Sequence, residues 1–279
     1  MQGECERAML ATYEAAAGMA ELVQATGRTL SSAQGRVIYL GEDTYGILGL
    51  VDASECPPTY NAMATDVQGF LDHGYDTLLN KEGDLTRVDP SLQLSWAHVD
   101  QALRPGMTPD DLVVFLLAPS TAAVPGLAAR VAATGARVAV VRAAAPDAPA
   151  LADAPANTLV VSVQLPALAL SVLPAGPAVL AELAVKLVLN AATTGGHVLK
   201  GKVMGNYMID LQVSNNKLFY RATSIVASFS GAPLPAAREA LIKAIHQTSA
   251  PSPAQLAEDA TPISEHIRAA SAAVAAYAE

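Results

Sequence analysis

Charge is scarce in this chain. Only 15% of its 279 residues are Asp, Glu, Lys or Arg, against about 25% in ordinary globular domains. With 52% apolar residues, this excludes a disordered chain and a charge-laced coiled coil. Positive charge is the rarer sign: 17 Lys plus Arg face 26 Asp plus Glu, a formal charge of −9. A pI near 5.0 argues against a nucleic-acid partner, because phosphate backbones need a basic face. The two cysteines, Cys5 and Cys56, cannot make a disulfide framework. With no Asn-x-Ser/Thr sequon, a reducing compartment is expected. Long hydrophobic runs are also missing. Leu159 to Pro174 is interrupted by Gln164 and Pro166, and Val179 to Leu189 carries Glu182 and Lys186. No stretch reaches the roughly 18 uninterrupted apolar residues of a membrane span. Glu4, Glu6 and Arg7 exclude a signal-peptide h-region from the first ten residues. The expectation is a soluble cytoplasmic protein, with the nucleus as the alternative, and no membrane, metal or cofactor.

What is present is alternation. At about 150 residues per domain, the length suits one or two domains. Residues 2 to 31 read as one helix, with Cys5, Met9, Tyr13, Ala16, Ala20 and Val23 forming an apolar stripe at spacings of three and four. Strands are predicted at 36–40, 67–71, 112–117, 137–141 and 159–163. Three are continuous apolar runs, the pattern of strands covered on both faces. Helices are predicted between them at 47–54, stopped by Pro57-Pro58, at 95–104 and at 121–134, the last capped by Gly135. This alternation points to an α/β fold with a parallel sheet, and five strands suit a flavodoxin-like order. From Pro177 onward the sequence reads as helical. The predicted division is an opening helix (1–34), an α/β domain (35–200) and a C-terminal helical lid (201–279).

The chemistry-bearing positions are few. The turn after the first strand should cradle an anion at a helix N-terminus, yet it holds Glu42 and Asp43. A carboxylate about 4 Å from a phosphate charge costs roughly 4 kcal/mol at an effective dielectric of 20, so these acids are expected to cap the helix themselves. Ala118-Pro119-Ser120-Thr121 follows the third strand. Ser120 or Thr121 would bind a phosphate oxygen there or serve as an ordinary N-cap. Lys217 and Arg221, four apart, share a helix face and would either meet an anion, pair with a nearby acid or stand in solvent. Glu55 lies at a helix end with no obvious acid–base partner. Cys56 reads as a buried hydrophobe and Trp96 as a core anchor. His197 and His246 are single residues, and His73, His98 and His266 lack metal-ligand spacing.

Two stretches resemble one family. The first is Gly35-Arg36-Val37-Ile38-Tyr39-Leu40-Gly41, continuing to Asp52-Ala53-Ser54-Glu55-Cys56-Pro57-Pro58-Thr59-Tyr60. The second runs from Lys186-Leu187-Val188-Leu189-Asn190 through Gly201-Lys202-Val203 and Gly205-Asn206-Tyr207-Met208-Ile209-Asp210 to Ser214-Asn215-Asn216-Lys217-Leu218-Phe219-Tyr220-Arg221. Both resemble the sugar isomerase (SIS) domains shared by N-acetylmuramic acid 6-phosphate etherase and glucokinase regulatory protein. Gly69-Phe70-Leu71, Asp84-Leu85-Thr86, Gly195-Gly196-His197 and Pro262-Ile263-Ser264 favour the second SIS domain and lid of the latter. The resemblance implies a flavodoxin-like SIS domain with a helical lid, paired with a second SIS domain in cis or in a homodimer. It implies a non-catalytic half that binds a sugar phosphate such as fructose 6-phosphate, with Lys217 reaching it from the lid, and that restrains a hexokinase.

Departures from the etherase pattern favour the regulatory reading. The Gly-Thr-Ser-Gly-Arg phosphate loop is replaced by Glu42-Asp43-Thr44-Tyr45-Gly46. Its Ser-Gly-Arg-Thr is replaced by Ala118-Pro119-Ser120-Thr121, and its basic Gly-Ser-Thr-Arg-Leu-Lys stretch by 168–176, which has no basic residue. The second acid, in Glu-Gly-Ala-Glu-Asp, faces Lys81-Glu82-Gly83-Asp84. Glu55 alone matches a catalytic acid, so a carbon–oxygen lyase is the alternative, and a purely architectural domain the third.

Overall fold

The computed structural model describes residues 2–79, 83–89, 91–144, 148, 150–165 and 176–257. They group into two compact units, one of Met1–Cys56 with Met63–Gly201, the other of Pro57–Ala62 with the residues from Lys202 on.

The first unit opens with α1 (Gln2–Glu14) and α2 (Ala16–Ser31), two helices where the sequence predicts one. The predicted stripe is not the buried face. Met9 and Tyr13 are exposed, whereas Ala8, Ala11 and Thr12 are buried, and α2 buries Leu22, Ala25, Thr26, Thr29 and Leu30. Across the break at Ala15, α1 turns its smaller residues inward while α2 buries Leu22 and Leu30 with Ala25, Thr26 and Thr29. The reason is close packing against a later helix, α7 (Gly176–Leu199). A Cβ on Gly195 would stand 2.6 Å from Val23 Cγ1, and one on Gly196 2.6 Å from Thr26 Cγ2.

Five strands follow as expected: β1 (Val37–Gly41), β2 (Val67–Leu71), β3 (Leu112–Leu117), β4 (Arg137–Ala144) and β5 (Leu159–Gln164). They form one sheet in the order β2-β1-β3-β4-β5, all parallel, with Tyr39 opposite Gly69 on one side and Val114 on the other. This is the flavodoxin-like order. β1 and β3 are buried along their whole length, which is why their runs are unbroken. On one face Ile38, Leu40, Phe115 and Val140 pack with Phe70, Val99 and Val131, and Trp96 leans against this cluster, giving its Nε1 proton to Phe70 O.

The connections differ more. α3 (Asp43–Tyr60) contains both Pro57 and Pro58 instead of stopping before them. The pair sits in the last turn, so only the carbonyls of Ala53 and Ser54 lose a ladder donor. After α4 (Tyr75–Leu78), the expected 95–104 helix is α5 (Trp96–His98), capped by Ser95, followed by a π turn at Val99–Leu103. α6 (Gly126–Ala132) starts after Pro125, so neither Ser120 nor Thr121 caps it. Gly135, at φ +89°, does close its end, donating to Ala132 O. By length and hydropathy Ala178–Leu199 in α7 would suffice to cross a membrane, but Leu180, Ala184, Val185, Val188, Leu189 and Ala192 are buried in this unit.

The second unit is not wholly helical. β6 (Val203–Met204) and β7 (Tyr207–Met208) make an antiparallel hairpin around Gly205, which takes φ +58°. A two-residue Gly-Asn loop is a hairpin signal that helical reading passes over. α8 (Asn216–Ser230) is capped by Asn215, which accepts from Leu218 N, and is ended by Gly231 at φ +68°. α9 (Leu234–Ile245) packs on it through Phe219, Ala222 and Ile242, and α10 (Pro253–Ala257) follows.

Candidate functional site

The carboxyl ends of parallel strands are where open α/β sheets hold ligands. Here the turn from β1 to α3 is too tight for side chains: a Cβ on Gly41 would collide with the Gly46 backbone. Glu42 stands between them. Its backbone N–H donates to Leu116 O at 3.0 Å. Its carboxylate Oε2 accepts from Ala118 N at 2.8 Å and from Thr121 Oγ1 at 2.6 Å. Contrary to the expectation from sequence, the Glu42 side chain therefore does not cap α3. It crosses to the loop after β3 and takes the donors that a phosphate would use. Thr121, a predicted phosphate contact, has its hydroxyl committed to Glu42. Ser120 lies exposed in the same turn.

The surrounding edge is acidic. Asp43, at φ +44°, donates its N–H to Asp72 Oδ2 at 3.4 Å, and Thr44 Oγ1 donates to Glu182 Oε1 at 2.8 Å. Burial, then Glu182 and Asp43, push the Tyr45 phenol up to about 12. A cavity of about 420 Å³ opens between Asp43, Thr44, His73 and Asp76. Among the described residues Asp72 and Glu182 meet hydroxyls, backbone N–H groups and the exposed His73 ring, and neither meets a Lys or Arg.

Farther along α3, Asp52 is buried. It accepts from Tyr39 OH at 3.1 Å and Thr193 Oγ1 at 3.4 Å, and lies 3.6 Å from Lys186 Nζ. Burial raises its pKa, and Lys186 and the hydroxyls only partly offset that. Its partners are up to 141 residues away in sequence, so no local signal marks this network. Burial and Asp52 push the Cys56 thiol up to about 12, leaving it unreactive as a nucleophile, in line with a buried hydrophobe. Glu55 points out of this network and is exposed. Among the described residues it makes no hydrogen bond or ion pair. Of the segment set against the second acid, Lys81 and Glu82 lie outside the described residues, as do most of 168–176, Pro262-Ile263-Ser264 and His266. Asp84 is engaged in capping, accepting from Thr86 N. His197 is buried, with Nδ1 2.7 Å from Thr193 O. Among the described residues no three His, Cys, Asp or Glu side chains form a metal set.

In the second unit the cations stand differently. Lys217 occupies the second position of α8, where no acid lies in the first turn. A cation there opposes the helix dipole, at a cost of about 0.3–1 kcal/mol. Arg221 follows one turn later, its Nη1 3.8 Å from Met208 Sδ. It lines a cavity of about 320 Å³ with Asn206, Tyr207, Met208 and Ser224. Lys202 pairs with Asp210, and Lys243 with Glu239. Among the described residues, Lys217 and Arg221 have no acidic partner. Exposed cations without acidic partners suit an anion.

A family model for the second SIS domain of glucokinase regulatory protein matches residues 13–200, and one for the C-terminal lid domain of glucokinase regulatory protein matches residues 205–276. The glucokinase regulatory protein of Rattus norvegicus is 33% identical over 276 residues, covering 95% of this chain and 42% of that protein. That of Homo sapiens is 31% identical over 281 residues, with the same coverage. N-acetylmuramic acid 6-phosphate etherase 2 of Vibrio parahaemolyticus is 35% identical over 215 residues, 74% of this chain and 65% of that enzyme. The chain thus spans about two fifths of the length of the regulatory proteins it matches.

Proposed function

Because this chain belongs to the family of the second SIS domain and lid of glucokinase regulatory protein, we propose that it is a non-catalytic, sugar-phosphate-binding SIS module. In this reading Lys217 and Arg221 supply cations to the phosphate of a fructose ester whose cradle is completed by a second SIS domain, in cis or from another copy. The assembled cytoplasmic protein restrains a hexokinase. The observation that carries the reading is the contrast in partners. Glu42 occupies the strand-end donors of Ala118 and Thr121, while the α8 cations lack acids among the described residues.

The test is thermal unfolding of the chain, alone and joined to a second SIS domain, with fructose 6-phosphate, fructose 1-phosphate and N-acetylmuramic acid 6-phosphate. A ligand at 100 times its Kd adds about 2.7 kcal/mol, a rise of a few degrees at this size. A rise with a fructose ester that disappears in Lys217→Ala and Arg221→Ala upholds the reading. A rise that survives both substitutions removes the role of α8, and no rise in the joined protein leaves an architectural domain. Hexokinase inhibition is then assayed with the joined protein.

The etherase reading has its own support, in the 35% identity and an exposed Glu55 on α3. Lactate release from N-acetylmuramic acid 6-phosphate that is abolished by Glu55→Ala would establish it.

A further inference from the structure

At the opposite edge of the sheet, where β3, β4 and β5 begin, lies a cavity of about 430 Å³. Its polar lining is Glu21, Gln24 and Arg28 from α2, Arg137 at the start of β4, and Asn157 and Thr158 before β5. We propose that this cavity is an oxyanion site that holds a small phosphate-bearing molecule between Arg28 and Arg137.

Three observations point to an occupant. First, two guanidinium groups line one cavity. Neither makes an ion pair among the described residues, and their mutual repulsion is only partly offset by Asp110 at a distance. Second, Arg137 is only partly satisfied. Its Nη2 donates to Thr29 Oγ1 at 3.2 Å, but its Nε is buried without a hydrogen-bond partner among the described residues. A buried donor left unmade is costly, and a turn of the guanidinium toward a phosphate in the cavity would give it a partner in the planar fork. Third, the remaining polar groups are placed for a ligand's other end. Glu21, Gln24 and Arg28 recur at spacings of three and four, on one face of α2. Asn157 is exposed in a left-handed conformation, φ +63°, and its side chain makes no hydrogen bond among the described residues. Glu21 and Asn157 would take hydroxyl groups.

The opposing charges do not close the site. Asp110 acts on Arg137 from a distance, against the stronger effects of burial and Arg28, and its carboxylate accepts from Ser32 Oγ. Glu21 is one carboxylate in the lining against two guanidinium groups. Because the cavity is at the strands' amino ends, its ligand would act as an effector distinct from anything bound at the carboxyl edge.

The experiment uses the whole chain and inorganic phosphate, against chloride at equal ionic strength, read by isothermal titration and thermal unfolding. Saturable phosphate binding is expected, weakened at least tenfold in Arg28→Ala, whose side chain is exposed and makes no hydrogen bond or ion pair among the described residues. Arg137→Lys, which keeps the charge and removes the fork, should also weaken it. The cations of α8 take no part, so the Lys217→Ala, Arg221→Ala double variant should bind as the parent does. Absence of phosphate-specific binding overturns the proposal, as does binding that Arg28→Ala leaves intact. Binding lost only in the double variant overturns it too, and assigns the phosphate to α8 instead.

Discussion

The carboxyl edge of the sheet and the start of α8 handle charge in opposite ways. At the sheet edge, Glu42 takes the Ala118 N–H and the Thr121 hydroxyl, and Asp72 and Glu182 find neutral donors. On α8, Lys217 and Arg221 stand without acids among the described residues, and Lys217 does so against the helix dipole. A charge that is already paired holds structure together, and a charge left unpaired at some cost is available to a ligand. Of these two regions, α8 is the one with cations to offer an anion.

The strongest way to break the comparison is to attack the most thoroughly paired charge. Asp111 is fully buried and accepts from Arg36 N, Nε and Nη2 and from Thr108 N. Asp111→Ala should cost about 3–5 kcal/mol, the usual effect of breaking a buried pair, measured by urea unfolding. Burial pushes this carboxyl up, but Arg36 and the backbone donors outweigh it and hold it below its usual range. Its contribution is therefore complete above the unfolded carboxylate value of about 4 and is lost as pH falls through the lower folded value. A pH titration of unfolding should show this loss, and Asp111→Ala should remove it.

Glu42→Ala should cost about 1–3 kcal/mol, because it orphans the donors of Ala118 and Thr121. A neutral result in the same unfolding assay would mean that Glu42 is not holding the loop. Lys217→Glu should move stability the other way, by about 0.3–1 kcal/mol upward, while abolishing the fructose-ester shift. A loss of stability there would show that the lysine has a structural partner. Glu55→Ala should change stability by less than about 0.5 kcal/mol, as expected of an exposed side chain without partners. A larger change would place Glu55 among the paired charges.

Much of the fold was legible. The strands at 112–117 and 137–141 are continuous apolar runs because they are covered on both faces, and their alternation with helices leads to the parallel order. The α1–α2 break was not legible, because the buried face follows the close approach of Gly195 and Gly196 to α2 rather than the size of the apolar side chains. The 203–208 hairpin is legible in its Gly-Asn turn, against the helical tendency of the sequence around it. Of the candidate site, the shared face of Lys217 and Arg221 follows from their spacing. The partner of Thr121 does not, since Glu42 is 79 positions away.

The sequence by itself determined the α/β class, the five strands and the residue types available to meet an anion, because periodicity and spacing are local properties of the chain. Tertiary structure alone decided which of those groups are engaged. Glu42 reaches Thr121, and Asp52 reaches Tyr39, Lys186 and Thr193, only because the sheet and its helices bring distant segments within range. Whether a charge is paired or left for a ligand depends on that distance and on burial, neither of which is written in the local order of residues.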